Sequence, residues 1–478
     1  MPWFLLSIPI LILITFILVR AVRFTPLSAS QGVDDELTDY RAAAAGGHLS
    51  RMIQMQTVSS RNEEEIDHSA FDAFIALLPE LYPEAHKVLT RETVNGHALL
   101  YHWAGRSNEK PVVLMAHYDV VSAREDGWKH PPFAGEIENG IIWGRGAVDT
   151  KITLASIMEA AEFLIKDGFK PDHDIYFSFS NNEEIAGDST PAIVALFKKR
   201  GIELFFVLDE GGAVVTEVFP GVTSPVALIG VAEKGIIDVD IVVNSAGGHA
   251  SSPPKVTAPV TLSRAIIGLN RHPFHARFPA PTIEMLRILG RHTPFAYRII
   301  FANLWLFGPL LLAVFAHAGG EMNAMVRTTA AVTMLEGSRG SNVLASRAKA
   351  SVNIRVAVGE NVESTVNHIR KISGKSGVLV TTIYSSEPSP VSRTTGAPYE
   401  LLGSVIHRTF PDAILSPYVM LGGSDSRHFA QISPFVYRFS PMELTKAERE
   451  SMHAANEAIP VKKLDTCIAF YIRLIRSI

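Results

Sequence analysis

The stretch that decides the fold is Val112-Val113-Leu114-Met115-Ala116, followed at once by His117-Tyr118-Asp119. A short, wholly apolar run of this kind reads as a strand buried on both faces. The design recurs. Ile175-Tyr176-Phe177-Ser178-Phe179 runs into Ser180-Asn181-Asn182-Glu183-Glu184, and Leu204 to Leu208 runs into Asp209-Glu210-Gly211-Gly212. Between the first two strands, Thr153 to Ile165 has helical period and good helix formers. Strands alternating with helices predict an α/β domain with a mostly parallel sheet. In such sheets functional groups collect just beyond the C-terminal strand ends.

Three strand ends in a row therefore deliver histidine or carboxylates to one edge. A fourth carboxylate, Asp149, follows Gly144-Arg145-Gly146-Ala147-Val148 and opens the helix. Alone, a His-x-Asp is more often a structural pair, and two adjacent glutamates usually face solvent. Here Glu183-Glu184 follow an apolar strand and precede Ile185-Ala186-Gly187, so one of them is expected to point inward. Asp209, after Phe205-Phe206-Val207-Leu208, would be costly to bury unless paired or metal-bound. Convergence of this kind is how a multi-ligand metal site is assembled.

From Ile236 to Val243 the chain turns strongly β-prone, with further strand-like runs at Thr328–Met334 and Ala348–Val358. The pattern predicts an α+β domain over 232–356, inserted into a discontinuous catalytic domain of 51–231 and 357–478. Residues 24–50, polar and rich in small side chains, read as a linker. An amphipathic helix is expected at Lys462–Ile475.

With 478 residues, the chain suits two or three domains. It is 47% apolar and only 19% charged, against roughly 25% charged in typical domains. Two segments hold much of the excess. Trp3 to Val19 is seventeen residues without a charge, followed by Arg20 and Arg23. It reads as a single-pass membrane anchor, a cleaved signal followed by secretion, or a buried helix; the two arginines favour a cytoplasmic body. Ile299 to Ala318 is twenty residues without Asp, Glu, Lys or Arg, inside an apolar insertion at 271–325. A span there would separate motifs that belong together, so it reads instead as buried or interfacial helices broken at Pro309. The balance of 44 basic and 48 acidic residues lacks the basic excess of a nucleic-acid binder. The single cysteine, Cys467, excludes an intramolecular disulfide and any Cys-rich zinc module, leaving His and carboxylates, with 17 histidines available.

In order and spacing, HYD (117–119), GRGAVDTK (144–151), NNEE (181–184), LDEGG (208–212), GGHASSPP (247–254) and GGSDSRH (422–428) resemble the M20 family of dinuclear-zinc metallopeptidases and amidohydrolases. The 271–327 stretch looks most like the branch holding N-fatty-acyl-amino-acid synthase/hydrolase and Gly-Xaa carboxypeptidase. The resemblance implies two Zn²⁺, with His117 on one ion, His428 on the other and Asp149 bridging. Asp209 would complete the first site and Glu184 the second. Glu183 would be the general base and Asp119 would hold the His117 tautomer. His249 would stabilise the oxyanion, reaching into a homodimer partner or acting within one chain. Asn323 and Arg355 would hold the substrate, and Gly422-Gly423 would offer backbone N–H groups to it. The family's usual residues are replaced at Ile152, at Leu344-Ala345 and at Val358, which bears on substrate fit and lid hinges. The implied reaction is hydrolysis of an amide bond beside a free carboxylate, in a short peptide or an N-acyl amino acid, or its reversal on lipidated amino acids. An inactive zinc-bound scaffold or a lipid-binding module would not need Glu183.

Overall fold

The computed structural model describes residues 3–26, 44–123, 126–217, 219–373 and 377–478, with side chains from residue 8 onward. Most of the expected linker lies outside the described residues, and its last part already belongs to the helix Ala45–Gln54. The chain divides into two units. The larger comprises 26–231, 392–417 and 424–478, the smaller 1–25, 232–391 and 418–423.

The larger unit is built on a sheet that is ten-stranded among the described residues. Its order is Thr90–Val94, Ala98–Trp103, His173–Ser180, Ser107–His117, Phe206–Asp209, Val436–Arg438, Val226–Glu233, Val214–Val215 and Glu443–Leu444, with Ile414–Met420 on Val226–Glu233. The middle four strands run parallel. Ser107–His117 is buried from Pro111 to His117, and His173–Ser180 from Asp174 onward, as doubly covered strands must be. In register, His117 lies opposite Ser180, Leu114 opposite Leu208 and Arg438 opposite Asp209. The strand ends that carry the chemistry thus leave the sheet along one edge.

The helix Lys151–Lys166 starts directly after Asp149-Thr150 and is buried almost all round. Its polar residues are paired: Glu159 accepts from His48 Nδ1 at 2.6 Å, and Glu162 accepts from the Ala85 N–H at 2.7 Å. Lys151 is fully buried and donates to the carbonyls of Met52 and Met55 at 3.0 and 2.7 Å. Burial pushes its ammonium down to about 7, against the pull of Glu457 and Asp119. The last helix, Val461–Arg476, packs on Lys151–Lys166, with Leu464, Ile468, Tyr471 and Ile475 among its buried side chains.

The smaller unit carries an antiparallel sheet in the order Thr329–Glu336, Arg347–Val356, Gly235–Asn244, Val378–Ser386. One face of it, Ile237, Val239, Ile241, Val352 and Ile354, packs against Leu262 and Ala265 of Ala258–Arg271 and Ile369 of Val362–Ser373. Each such aliphatic side chain contributes about 1.5–3 kcal/mol by leaving water. The return to the larger unit, expected at 357, therefore falls at Ser392. The helix Val362–Ser373 and the strand Val378–Ser386 complete the smaller unit's own layers.

The two apolar segments both belong to the smaller unit. Trp3–Arg23 is a helix. Among the described residues, however, no single helix is long and apolar enough to cross a membrane. The second segment forms Phe295–Phe301 and Leu304–Ala318, bent by 98°. The break falls at Ala302-Asn303, not at Pro309, which sits inside the second helix. Asn303 fixes the break by donating from Nδ2 to the carbonyls of Ile17 and Ile299 at 3.2 and 2.9 Å. Nor is the second helix buried: of its residues, only Phe315 is.

Lys234 ties the smaller unit's sheet to the segment after Asn323. Its ammonium is 2% exposed and reaches the carbonyls of Ala324 and Arg327 at 3.0 and 2.9 Å. Burial, then nearby Arg355, lowers it to about 7. That folded value lies below the unfolded one, so protonation opposes folding increasingly as pH falls from 10.5 to about 7. Lys234→Met leaves two carbonyls without their donor, a loss of about 1–3 kcal/mol. Thermal unfolding is expected to show the variant less stable than the parent near pH 10.5, with the gap closing and reversing as pH falls toward 7. A gap independent of pH would contradict the depressed ammonium.

Candidate metal centre

His117 ends its strand with the imidazole 2% exposed. Its Nδ1 lies 2.9 Å from the Asp119 carbonyl and 3.4 Å from the Asp119 carboxylate. A carbonyl only accepts, so Nδ1 carries the proton and Nε2 is left to face a cation. Nε2 lies 3.0 Å from Asp149 Oδ1 and 3.1 Å from Glu210 Oε1. The other oxygen of Asp149 lies 3.0 Å from His453 Nε2, and His453 Nε2 lies 3.1 Å from Glu184 Oε2. His117, Asp149 and Glu184 offer ligand atoms all within 4.8 Å of one another.

The carboxylate of Asp119 works as a clamp. It accepts from the N–H groups of Glu183 and Glu184 at 3.1 and 3.2 Å and from Ser59 Oγ at 2.7 Å. The Glu183-Glu184 turn is thereby hung on the residue that orients His117. Ala186 closes that turn at φ +54, with its N–H bonded to the Glu183 carbonyl at 2.7 Å.

Asp149 is presented by a loop wrapped around Glu457, which is fully buried. One oxygen of Glu457 accepts from the N–H groups of Gly146, Val148 and Asp149 at 3.1, 2.8 and 3.1 Å. The other takes Arg145 at 2.7 Å. Gly146 stands at φ +87, where a Cβ would come within 2.8 Å of Val120, so the loop needs glycine there.

The electrostatics follow from crowding. Burial would lower His117, but Glu210, Asp119 and Asp149 together hold it well above its ordinary value. Burial would raise Asp149, and the hydrogen bonds from His117 and His453 keep it low. Burial and the Asp149 charge lift Glu210 to about 7. Hydrogen bonds to Asp149 and Glu184 lift His453 to about 10. Burial, with Asp425, Glu210 and Glu184 nearby, pushes Glu183 well up.

The ligand set expected from sequence differs at two places. Asp209 is not turned to the cluster. Its carboxylate accepts from the N–H groups of Glu210 and Ser426, both at 2.9 Å, and Glu210, the next residue, meets His117 instead. His428 sits in the 3-10 turn Asp425–Gln431, where its Nε2 receives the Arg427 Nε–H at 3.4 Å. A ring nitrogen engaged by a guanidinium is poorly placed for a metal ion. His453 supplies the second imidazole. The signals for the missed residues are Glu210 in LDEGG, and His453 with Glu457 in HAANE (453–457).

The remaining predicted residues lie in the smaller unit. His249 is exposed on the short strand Gly248–His249, with Nδ1 accepting from the N–H and Oγ of Ser251 at 3.1 and 2.8 Å. Asn323, with its Oδ1 buried and unpartnered among the described residues, and Arg327 line a cavity of about 470 Å³ whose other walls include Ile266, Leu269, Phe274 and Val332. Arg355 donates from Nε to Asn353 Oδ1 at 3.3 Å. Gly422 and Gly423 follow the strand Ile414–Met420.

The donor set fits divalent cations. Two imidazoles and three carboxylates are borderline-hard ligands, as Zn²⁺ prefers. Glu184 Oε1 is also buried with no hydrogen-bond partner among the described residues, a cost that a cation would remove. His453→Ala is expected to lower the bound divalent metal per chain by elemental analysis, whereas His428→Ala leaves it unchanged. The reverse result would restore His428 as a ligand. Glu457→Gln sets an amide N–H₂ into a nest of N–H donors and leaves Arg145 unpaired, costing about 3 kcal/mol. This is expected to appear in thermal unfolding with a chelator present.

Comparison with known proteins agrees with this geometry. The model for peptidase family M20/M25/M40 matches residues 113–477. A probable carboxypeptidase S-like protein of Dictyostelium discoideum is 33% identical over 93% of this chain and 86% of its own length. An N-fatty-acyl-amino acid synthase/hydrolase of Xenopus tropicalis is 34% identical over 98% of this chain and 92% of its own. Among solved structures, an M20 family metallo-carboxypeptidase of Sulfolobus solfataricus superposes with a TM-score of 0.67 at 17% identity, covering 90% of this chain and 98% of that one. With its mixed α/β fold and histidine–carboxylate cluster, the chain belongs to the M20 family of peptidases.

Proposed function

We propose that the chain hydrolyses the amide bond of an N-acyl amino acid whose free carboxylate lies beside the scissile bond, using two divalent cations, zinc by ligand preference. The carrying observation is the Asp149 carboxylate, whose two oxygens each lie 3.0 Å from a different histidine. His117, Glu210 and one Asp149 oxygen would hold one ion; His453, Glu184 and the other oxygen would hold the second. Three carboxylates against two divalent ions leave a net charge of +1. The bound ions supply Lewis acidity, polarising the carbonyl and making water a nucleophile near neutral pH.

The other steps fall to side chains. Glu183 takes the proton of the attacking water on its carboxylate and returns it to the departing amine nitrogen. Asp119 keeps Glu183 in reach by holding its N–H. For His249, Asn323, Arg355, Gly422 and Gly423 the proposed roles are those the family resemblance implies: His249 donates to the oxyanion, and the others bind substrate. A long acyl chain is favoured over a dipeptide by the named activity of the Xenopus relative. The same catalyst accelerates condensation of a fatty acid with an amino acid, concentrations setting the direction. The helix Trp3–Arg23 is the proposed membrane attachment. The edge strand Thr329–Glu336, with Met334 and Leu335 exposed, is the proposed meeting face for a second copy.

Chelation is expected to abolish hydrolysis and Zn²⁺ to restore it. Glu183→Gln is expected to keep both ions while kcat falls by about 10²–10⁴; near-normal turnover would remove Glu183 from the role. A panel comparing fatty-acyl amino acids with dipeptides tests the substrate class, and a wide margin for dipeptides would replace it with a general carboxypeptidase.

A further inference from the structure

The N-terminal helix and the bent helix pair of the smaller unit are joined by specific contacts. The Arg20 guanidinium donates from Nε and Nη2 to the Ala302 carbonyl at 3.1 and 2.9 Å, capping the chain at the bend. Asn303 donates back to the Ile17 carbonyl. The Phe16 and Trp305 rings meet edge-on with centroids 6.2 Å apart. Arg291 donates to the Thr25 carbonyl at 3.0 Å and lies over the Phe24 ring at 4.7 Å.

The helices that meet at this junction, Trp3–Arg23, Phe295–Phe301 and Leu304–Ala318, contain no Asp or Glu. Ile10, Leu11, Ile12, Leu13 and Ile14 are 41–65% exposed. Five consecutive exposed apolar residues cover every side of a helix, so no single protein face buries them. On Leu304–Ala318, Leu306, Leu310 and Val314 form an i, i+4, i+8 stripe that is 39–66% exposed, beside Trp305 at 54%. Residues 1–33 and 285–320 contain no Asp or Glu, yet carry Arg20, Arg23, Arg287, Arg291 and Arg298. An exposed apolar helix with Trp305 at its head and Arg20 at the bend before it suits the interface of an anionic bilayer. Leu304–Ala318 has 15 residues, about 22 Å, short of the roughly 30 Å hydrocarbon core.

We propose that Leu304–Ala318 is a second membrane contact, lying in the interface of an anionic bilayer without crossing it, with its Leu306-Leu310-Val314 stripe toward the acyl chains. This rests on the attachment proposed for Trp3–Arg23 and is independent of the reaction proposed above. One contact leaves a body free to swivel about its tether. A second, locked to the first through Arg20 and Asn303, fixes which side of the smaller unit faces lipid.

The test uses the full chain reconstituted with vesicles of phosphatidylcholine and phosphatidylglycerol. A polarity-sensitive fluorophore is attached at Leu310→Cys, at Leu11→Cys or at the exposed control Glu363→Cys, Cys467 being buried. The expected result is a blue shift and loss of most emission to nitroxide lipids at Leu310→Cys, stronger for a label near the headgroup than for one deep in the tail, with Glu363→Cys unchanged. Quenching at Leu11→Cys but not at Leu310→Cys would overturn the second contact and leave the first standing. Quenching at neither would overturn both. Deep quenching at Leu310→Cys would mean a crossing helix, and oxidative cross-linking of Leu310→Cys between copies without quenching would mean that a second chain covers the stripe; either result overturns the proposal.

Discussion

One carboxylate, Asp149, has to face two imidazoles at once, and much of the larger unit is arranged to let it. Its oxygens can point to His117 and His453 only if the backbone before it is held rigidly, and Glu457 does this from within. A buried carboxylate surrounded by three N–H donors and a guanidinium is stable because each donor is one that the turn would otherwise leave unsatisfied. Asp119 plays the matching part on the other side, where one residue orients His117 and suspends Glu183 and Glu184. The carboxylates closest to the reaction are therefore positioned by two further carboxylates. The sheet's part is to deliver these groups to one edge in register.

The fold was largely legible because its strands are buried on both faces and so announce themselves as unbroken apolar runs. Val112–Ala116 and Ile175–Phe179 became the centre of the sheet. His117, Asp149, Glu183 and Glu184 were readable because each directly follows such a strand or opens the helix beside it. The choice between Asp209 and Glu210 was not. Adjacent residues at a strand end point to opposite sides, and the side is set by which backbone N–H groups are nearby. Those of Ser426 and Glu210 claim Asp209, and Ser426 belongs to a turn more than two hundred positions away. His453 was harder still, because it belongs to no strand. It lies in a short loop at φ +60, three residues before Asn456 at φ +65, and only tertiary contacts hold such a backbone. The motif around His428 looked like a ligand motif, yet the neighbouring guanidinium engages that ring.

The smaller unit was misjudged in extent for a related reason. A helix and an edge strand after 357 have the same local pattern whichever sheet they join. Only pairing with Gly235–Asn244 assigns them. The apolar insertion was likewise readable as helix but not as to its bend. Proline at 309 is the conspicuous breaker, but six residues into a helix it still has a turn before it. Asn303, with partners on two separate helices, makes the stop.

The loop at 453–457 has a consequence for how the molecule comes into being. Candidate ligands are spread from His117 to His453, and the loop that aims Asp149 closes only around Glu457. During synthesis three of the four central parallel strands, Ser107–His117, His173–Ser180 and Phe206–Asp209, leave the ribosome long before either residue. A nascent chain can thus form much of its sheet, but it cannot bring His453 and Glu457 to Asp149 until more than 450 residues have emerged. Half-made or prematurely ended chains would be folded in part and chemically silent, so hydrolytic power arrives as one of the last events of maturation.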